Sequence, residues 1–189
     1  MGLRDILGGR SKLKDPAGER LFAISTARIT LEAELGLKAM GAAGVCFKSM
    51  SASEFVRAEN ELQALLEAVA DEAGSKVERR GDELGFEWLI VRDPDFEDLV
   101  TTVHLVASEL EARGFGGQLL AAVFPFEGGG KKVYWIYGFK RGKFWPFVPT
   151  GEDKERDNAV ELELKAKLEP ELPVEEDLSR WFAIYDAPV

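Results

Sequence analysis

Two runs of the chain, 119–126 and 132–140, are apolar at almost every position and are separated by Gly128-Gly129-Gly130. A half-exposed strand alternates apolar with polar residues, so strands that read this way must be central or covered on both faces. A glycine-rich break of this length between them closes a hairpin. A buried antiparallel pair is therefore the fixed point of the fold, and the rest of the chain has to supply its covers.

The segments that can do so are legible in turn. Residues 44–50 are a short apolar strand, 76–80 and 86–92 are two strands joined by the 81–85 turn, and 144–148 follows the Arg141-Gly142 turn as a further strand. A helix over 26–35 is capped by Ser25 or Thr26 and stopped by Gly36. Ser51 and Glu54 form a capping box that opens a second helix, along which Phe55, Leu62, Leu65, Leu66, Val69 and Ala73 recur before Gly74. Asp93-Pro94 starts a third, with Asp93 as cap and Phe96, Leu99, Val100, Val103, Val106, Ala107 and Leu110 along one face. Residues 159–168 alternate as a strand would. Strong helix formers and the Glu161–Lys165 and Glu163–Lys167 pairs nevertheless favour helix. The aromatic tail 177–185 is expected to dock back on the body.

The predicted order α, β, α, β, β, α, β, β, β, α, with tight turns between neighbouring strands, is an α+β fold: an antiparallel sheet covered by helices. Residues 1–19 read as an N-terminal segment and linker, and 20–189 as a single α+β domain. Leu3, Ile6 and Leu7 share one helical face before Gly8-Gly9. That stretch either packs on the body or serves as a small amphipathic anchor for a membrane surface or a partner.

Charge narrows the partners. With 34 acidic against 24 basic residues the net charge is −10, which repels nucleic acid and anionic lipid at long range. No nucleic acid and at most peripheral membrane contact are expected. A single cysteine, Cys46, has no internal disulfide partner and suits a reducing compartment. The N-terminus lacks an apolar run of signal-peptide length, Ile6 stands where myristoylation wants Ser or Thr, and nothing approaches the roughly 18 apolar residues of a membrane span. A soluble, cytoplasmic chain is the expectation.

A search for reactive groups predicts no catalytic residue, no metal site and no cofactor. His104 is the only histidine and lies on the flank of the 93–110 helix with no second histidine to join it. Cys46, between Val45 and Phe47, reads as a buried, inert thiol, with the start of the next helix as the one feature that could activate it. Asp93-x-Asp95-x-Glu97 has Asp98 where a calcium loop needs glycine. Gly128-Gly-Gly-Lys-Lys132 leads into a strand, whereas a phosphate loop opens a helix.

One segment stands apart. Lys140-Arg-Gly-Lys-Phe-Trp-Pro-Phe147 packs three cations and three aromatics into eight residues of an acidic chain. Either its rings fill the core while its cations form a solvated turn, or Lys140, Arg141, Lys143, Phe144, Trp145 and Phe147 form a protein-binding surface. Stacking of single-stranded nucleic acid is a third reading.

Gly44-Val-Cys-Phe-Lys48, Asp93-Pro-Asp-Phe-Glu-Asp-Leu-Val100, Gly114-Phe-Gly116, the 140–147 segment with Pro149-Thr-Gly151, Arg156-Asp-Asn158 and Asp177-Leu-Ser-Arg-Trp181 occur in an order and spacing that resembles the PspA-associated protein family PspAB, over essentially the whole chain. The resemblance implies association with PspA, a coiled-coil membrane-stress effector, in a prokaryotic cytoplasm, and brings no catalytic residues with it. The element order of 51–168 is also similar to the type III secretion chaperone-like fold shared with YbjN-type proteins. That likeness implies small, acidic, often dimeric binding modules, and so a homodimer. The expected function is a non-enzymatic protein-binding adaptor or regulator associated with PspA in a bacterial envelope (phage-shock) stress response. Its rivals are a chaperone-like module for another client and an enzyme using carboxylates.

Overall fold

The structure is a computed structural model and describes residues 18–48, 64, 68, 74–151 and 154–189. The predicted helix opened by Ser51 and Glu54, and the 1–8 stretch, lie outside the described residues.

Among the described residues seven strands form one antiparallel sheet: β1 (Lys38–Ala39), β2 (Ala42–Lys48), β3 (Lys76–Gly81), β4 (Phe86–Arg92), β5 (Leu119–Gly128), β6 (Lys131–Gly138) and β7 (Lys143–Phe147). Their order is β3-β4-β2-β5-β6-β7, with β1 continuing the line of β2 along β5. The protein is therefore α+β. The apolar hairpin is β5–β6, in register from Ala121↔Gly138 to Gly128↔Lys131, turning on Gly129 and Gly130 at positive φ. Edge strand β3 reads Lys-Val-Glu-Arg-Arg-Gly and is mostly exposed, the charged edge that discourages pairing with another sheet.

Because side chains alternate along a strand, the sheet has two distinct faces. Helices α1 (Ala23–Leu35) and α2 (Phe96–Ala112) cover the first. All seven predicted apolar positions of α2 are buried, and Phe96 meets Phe124 and Phe126 at ring distances of 6.1 and 5.6 Å. The cap of α2 corrects the sequence reading. Asp95, not Asp93, accepts from the N–H groups of Glu97 (2.8 Å) and Asp98 (3.2 Å). The Asp93 carboxylate is already engaged by Ser75 Oγ (2.6 Å) and the Asp95 N–H (2.8 Å). Helix α1 begins three residues earlier than predicted, running on from a 3-10 turn at Glu19–Phe22.

The C-terminal segment starts along edge strand β7, where it also reaches α1 through Thr30–Glu171 (2.7 Å) and Lys167–Glu34, and its tail then covers the second face. Helix α3 (Asn158–Leu168) is a helix as read, burying Leu164 and Leu168 one turn apart. Beyond it the chain follows β7: the Phe144 N–H donates to Pro173 O (2.9 Å) and the Glu175 N–H to Phe144 O (2.8 Å). The tail then crosses the sheet. Trp145 Nε1 donates to Phe182 O (3.0 Å), Tyr185 stands edge-on to Phe147 at 4.9 Å, and Lys132 Nζ reaches Val189 O (2.8 Å). A buried ion pair anchors this arm. Arg156 donates twice through Nε to Glu161, which also accepts from the Val148 N–H (2.8 Å), while Arg156 Nη1 holds Trp181 O (2.7 Å).

Candidate binding cavity

The second face is not filled. Strand register sets Trp88 opposite Cys46, Cys46 opposite Ala121, Ala121 opposite Gly138 and Gly138 opposite Lys143, one row across five strands. The three central members are small. Between the Trp88 indole at one end and Lys143 at the other, the row forms a trough floor, and the cavity above it measures about 610 Å³, within the usual range for ligand sites. Trp145 leans over Gly138: a Cβ there would lie 3.0 Å from the indole Cζ3, so the bare backbone is what lets the ring form the wall. Phe86 extends the wall, the 182–186 stretch of the tail roofs it, and Leu84 stands at the mouth beside the 82–85 turn.

The lining is apolar in its body and ionic at its margin, where Lys140, Arg141, Lys143, Lys154 and Arg180 meet three carboxylates. Each carboxylate is committed. Asp82 accepts from Trp88 Nε1 and from the N–H groups of Leu84 and Phe86, all at 2.9 Å. Burial alone would raise its pKa, but these hydrogen bonds outweigh burial and hold it below the ordinary carboxylate value. Glu175 behaves alike: burial is opposed by the Asp177 N–H and by Arg141 at 2.7 Å, and the net shift is downward. Asp186 faces Lys154 at 3.9 Å. Arg180 is drawn to Asp177 at 3.0 Å. Lys140 and Lys143 have no carboxylate partner among the described residues.

Chemically, the trough offers contact area and charge. Burial, and then the charge of Asp82, push the Cys46 thiol up to about 12, so it is protonated at neutral pH and is no nucleophile. His104 lies away from the cavity on α2, against the Phe22 ring at 4.8 Å. Among the described residues no three His, Cys, Asp or Glu side chains come together as a metal site, and no helix is long and apolar enough to cross a membrane.

The aromatic–basic segment divides. Phe144 and Phe147 are both 0% exposed. Of the readings open for this segment, these two rings follow the one in which they fill the core. Strand alternation sends Phe144 to the helix side against Tyr137 (4.6 Å) and Phe147 to the tail side between Tyr134 (5.9 Å) and Tyr185, and both sides are covered. Trp145 is 8% exposed and belongs to the cavity wall. Lys140 and Arg141 are exposed and Lys143 is half-buried, all on the rim. The sequence reading did not single out Trp88, Ala121 or Gly138. They become a site only through cross-strand register, and the sole trace in the sequence is small residues inside apolar strands.

The fold and this trough define a class: an antiparallel α+β protein with a hollow, cation-rimmed second sheet face. The chain belongs to the PspA associated protein B family (PspAB), whose model matches residues 1–189. The family's name carries an association with the protein PspA. No curated protein and no solved structure matches the chain.

Proposed function

We propose that this protein is a non-enzymatic adaptor that binds a PspA-type coiled-coil partner, acts from the cytoplasm in an envelope-stress response, and makes contact through the face carrying Lys140, Arg141 and Lys143. The observation that carries this reading is membership, over the whole chain, of a family named for association with PspA. The local chemistry supports it. The cations of the turn share the margin of the trough with Leu84 and Phe182, which are 72% and 67% exposed. The cations complement the acidic residues that flank the seam on the outer surface of a coiled coil, and the exposed apolar side chains add contact area. Cations at such a rim act mainly on association rate and are screened by salt.

The test is a direct one between purified proteins: light scattering of this chain mixed with the PspA-like protein of the same genome, at low and high salt. A complex that weakens with salt, and about tenfold with Lys140→Glu/Lys143→Glu, is expected. Absence of any complex across the salt range contradicts the adaptor reading.

A further inference from the structure

The trough has a shape and a polarity that the adaptor reading does not use. Its floor row crosses five strands; at about 4.8 Å per strand, four steps span roughly 19 Å. Toward one end stand the rings of Trp88 and Phe86, with the Asp82 carboxylate held there by Trp88 Nε1 and exposed Leu84 at the mouth; Lys143, with Lys140 close along the same turn, marks the other end. Between the ends lie only Cys46, Ala121 and Gly138, overhung by Trp145 and the tail. The cavity is thus long and narrow-floored, apolar in its body, with the unpaired cations Lys140 and Lys143 at one end.

The charge is notable because this chain has a surplus of acids, 34 against 24 basic residues. Asp82 and Glu175 are held by nearer donors, Asp186 has Lys154 at 3.9 Å, and Arg141 and Arg180 have their own acidic partners. Lys140 and Lys143 are what remains uncompensated among the described residues. An anion at that end would gain charge-assisted hydrogen bonds without displacing an existing ion pair, and an unbranched apolar chain attached to it would lie along the floor.

We propose that this trough is a binding site for a single-chain anionic amphiphile, a medium-length fatty acid taken up as a monomer, with its carboxylate on Lys140 and Lys143 and its alkyl chain running over Cys46 toward Trp88. The inference shares Lys140 and Lys143 with the adaptor reading but does not rest on it: its test uses no partner protein, so the two can fail separately.

Titration calorimetry of the full chain with sodium dodecanoate, kept below its micelle concentration, is the experiment. One saturable site per chain is expected. Decanoate, two methylenes shorter, should bind about fifteenfold more weakly, since each buried methylene changes affinity about fourfold. Dodecyltrimethylammonium, of equal chain length and opposite charge, should bind at least tenfold more weakly. Lys140→Gln/Lys143→Gln should lose at least fivefold for dodecanoate while leaving the weak binding of the cation unchanged. Ala121→Leu, which raises the floor, should weaken both, with its fold checked by circular dichroism. If Ala121→Leu fails to fold, the uncharged Leu84→Gln at the exposed mouth serves in its place. The proposal is overturned by absence of saturable binding, by equal affinity for the two head groups, or by an unchanged affinity in the double lysine variant. Sedimentation with anionic phosphatidylglycerol vesicles, without uptake of dodecanoate, would likewise overturn it, since that result assigns the cations to a bilayer surface.

Discussion

The two faces of the sheet are built from the same seven strands and do opposite things. On the helix side, Phe47, Leu89, Phe124 and Phe126 are all essentially fully buried, and α2 lays an unbroken apolar stripe against the sheet. On the tail side, small residues occupy the centre, and the cover is an arm pinned by individual hydrogen bonds and one buried ion pair. A face filled by large side chains stabilises. A face floored by Cys46, Ala121 and Gly138 under a pinned arm leaves room. The contrast teaches that the hollow comes from side-chain size at matched register, with strand geometry alike on both sides.

Mutations should separate the two faces, and the largest effect belongs to the filled one. Phe124→Ala is expected to cost about 4 kcal/mol in urea unfolding, whereas Phe86→Ala in the cavity wall should cost about half of that or less. Equal losses would erase the distinction. Next comes the anchor of the arm. Arg156→Ala strands the buried Glu161 carboxylate and frees Trp181 O, at a cost of about 3 kcal/mol, and should speed amide exchange along residues 182–186. A loss below about 1 kcal/mol would show that the arm holds without its ion pair.

A smaller change sharpens the account of the wall. Gly138→Ala puts a methyl group 3.0 Å from the Trp145 ring and should cost about 1–2 kcal/mol by overpacking. Thermal unfolding together with Trp fluorescence would read both the cost and the displaced ring. The smallest effect is electrostatic. Asp82 and Glu175 have folded pKa values below their ordinary ones, so their contribution is complete above the unfolded carboxylate range near 4 and is lost as pH falls through the lowered folded values. Asp82→Asn should therefore flatten the acid limb of the stability profile. An acid limb identical to that of the parent protein would show that the hydrogen bonds to Asp82 stabilise nothing.

Much of this architecture is legible in the sequence. The β5–β6 hairpin followed from apolar runs broken by glycines, and α2 from seven apolar positions at helical spacing. Residues 159–168 resolved as helix because helix formers outweighed an alternating pattern. The cap of α2 moved two residues because Asp93 has a tertiary partner, Ser75, that local rules cannot see. The rings of 140–147 went inside for a similar reason: the tail that covers Phe147 is nearly forty residues away at Tyr185. The trough was the least legible feature. Its floor joins positions 46, 88, 121, 138 and 143, neighbours only once the strands are paired.

Four indoles make the central claim directly measurable. Trp88 and Trp145 line the trough, while Trp135 is buried elsewhere in the core and Trp181 lies under the Arg156 anchor. In a 15N-correlated spectrum titrated with dodecanoate, the indole N–H signals of Trp88 and Trp145 should move in a saturable way while those of Trp135 and Trp181 stay in place. Four signals moving together, or none moving, would contradict the existence of a binding trough on this face.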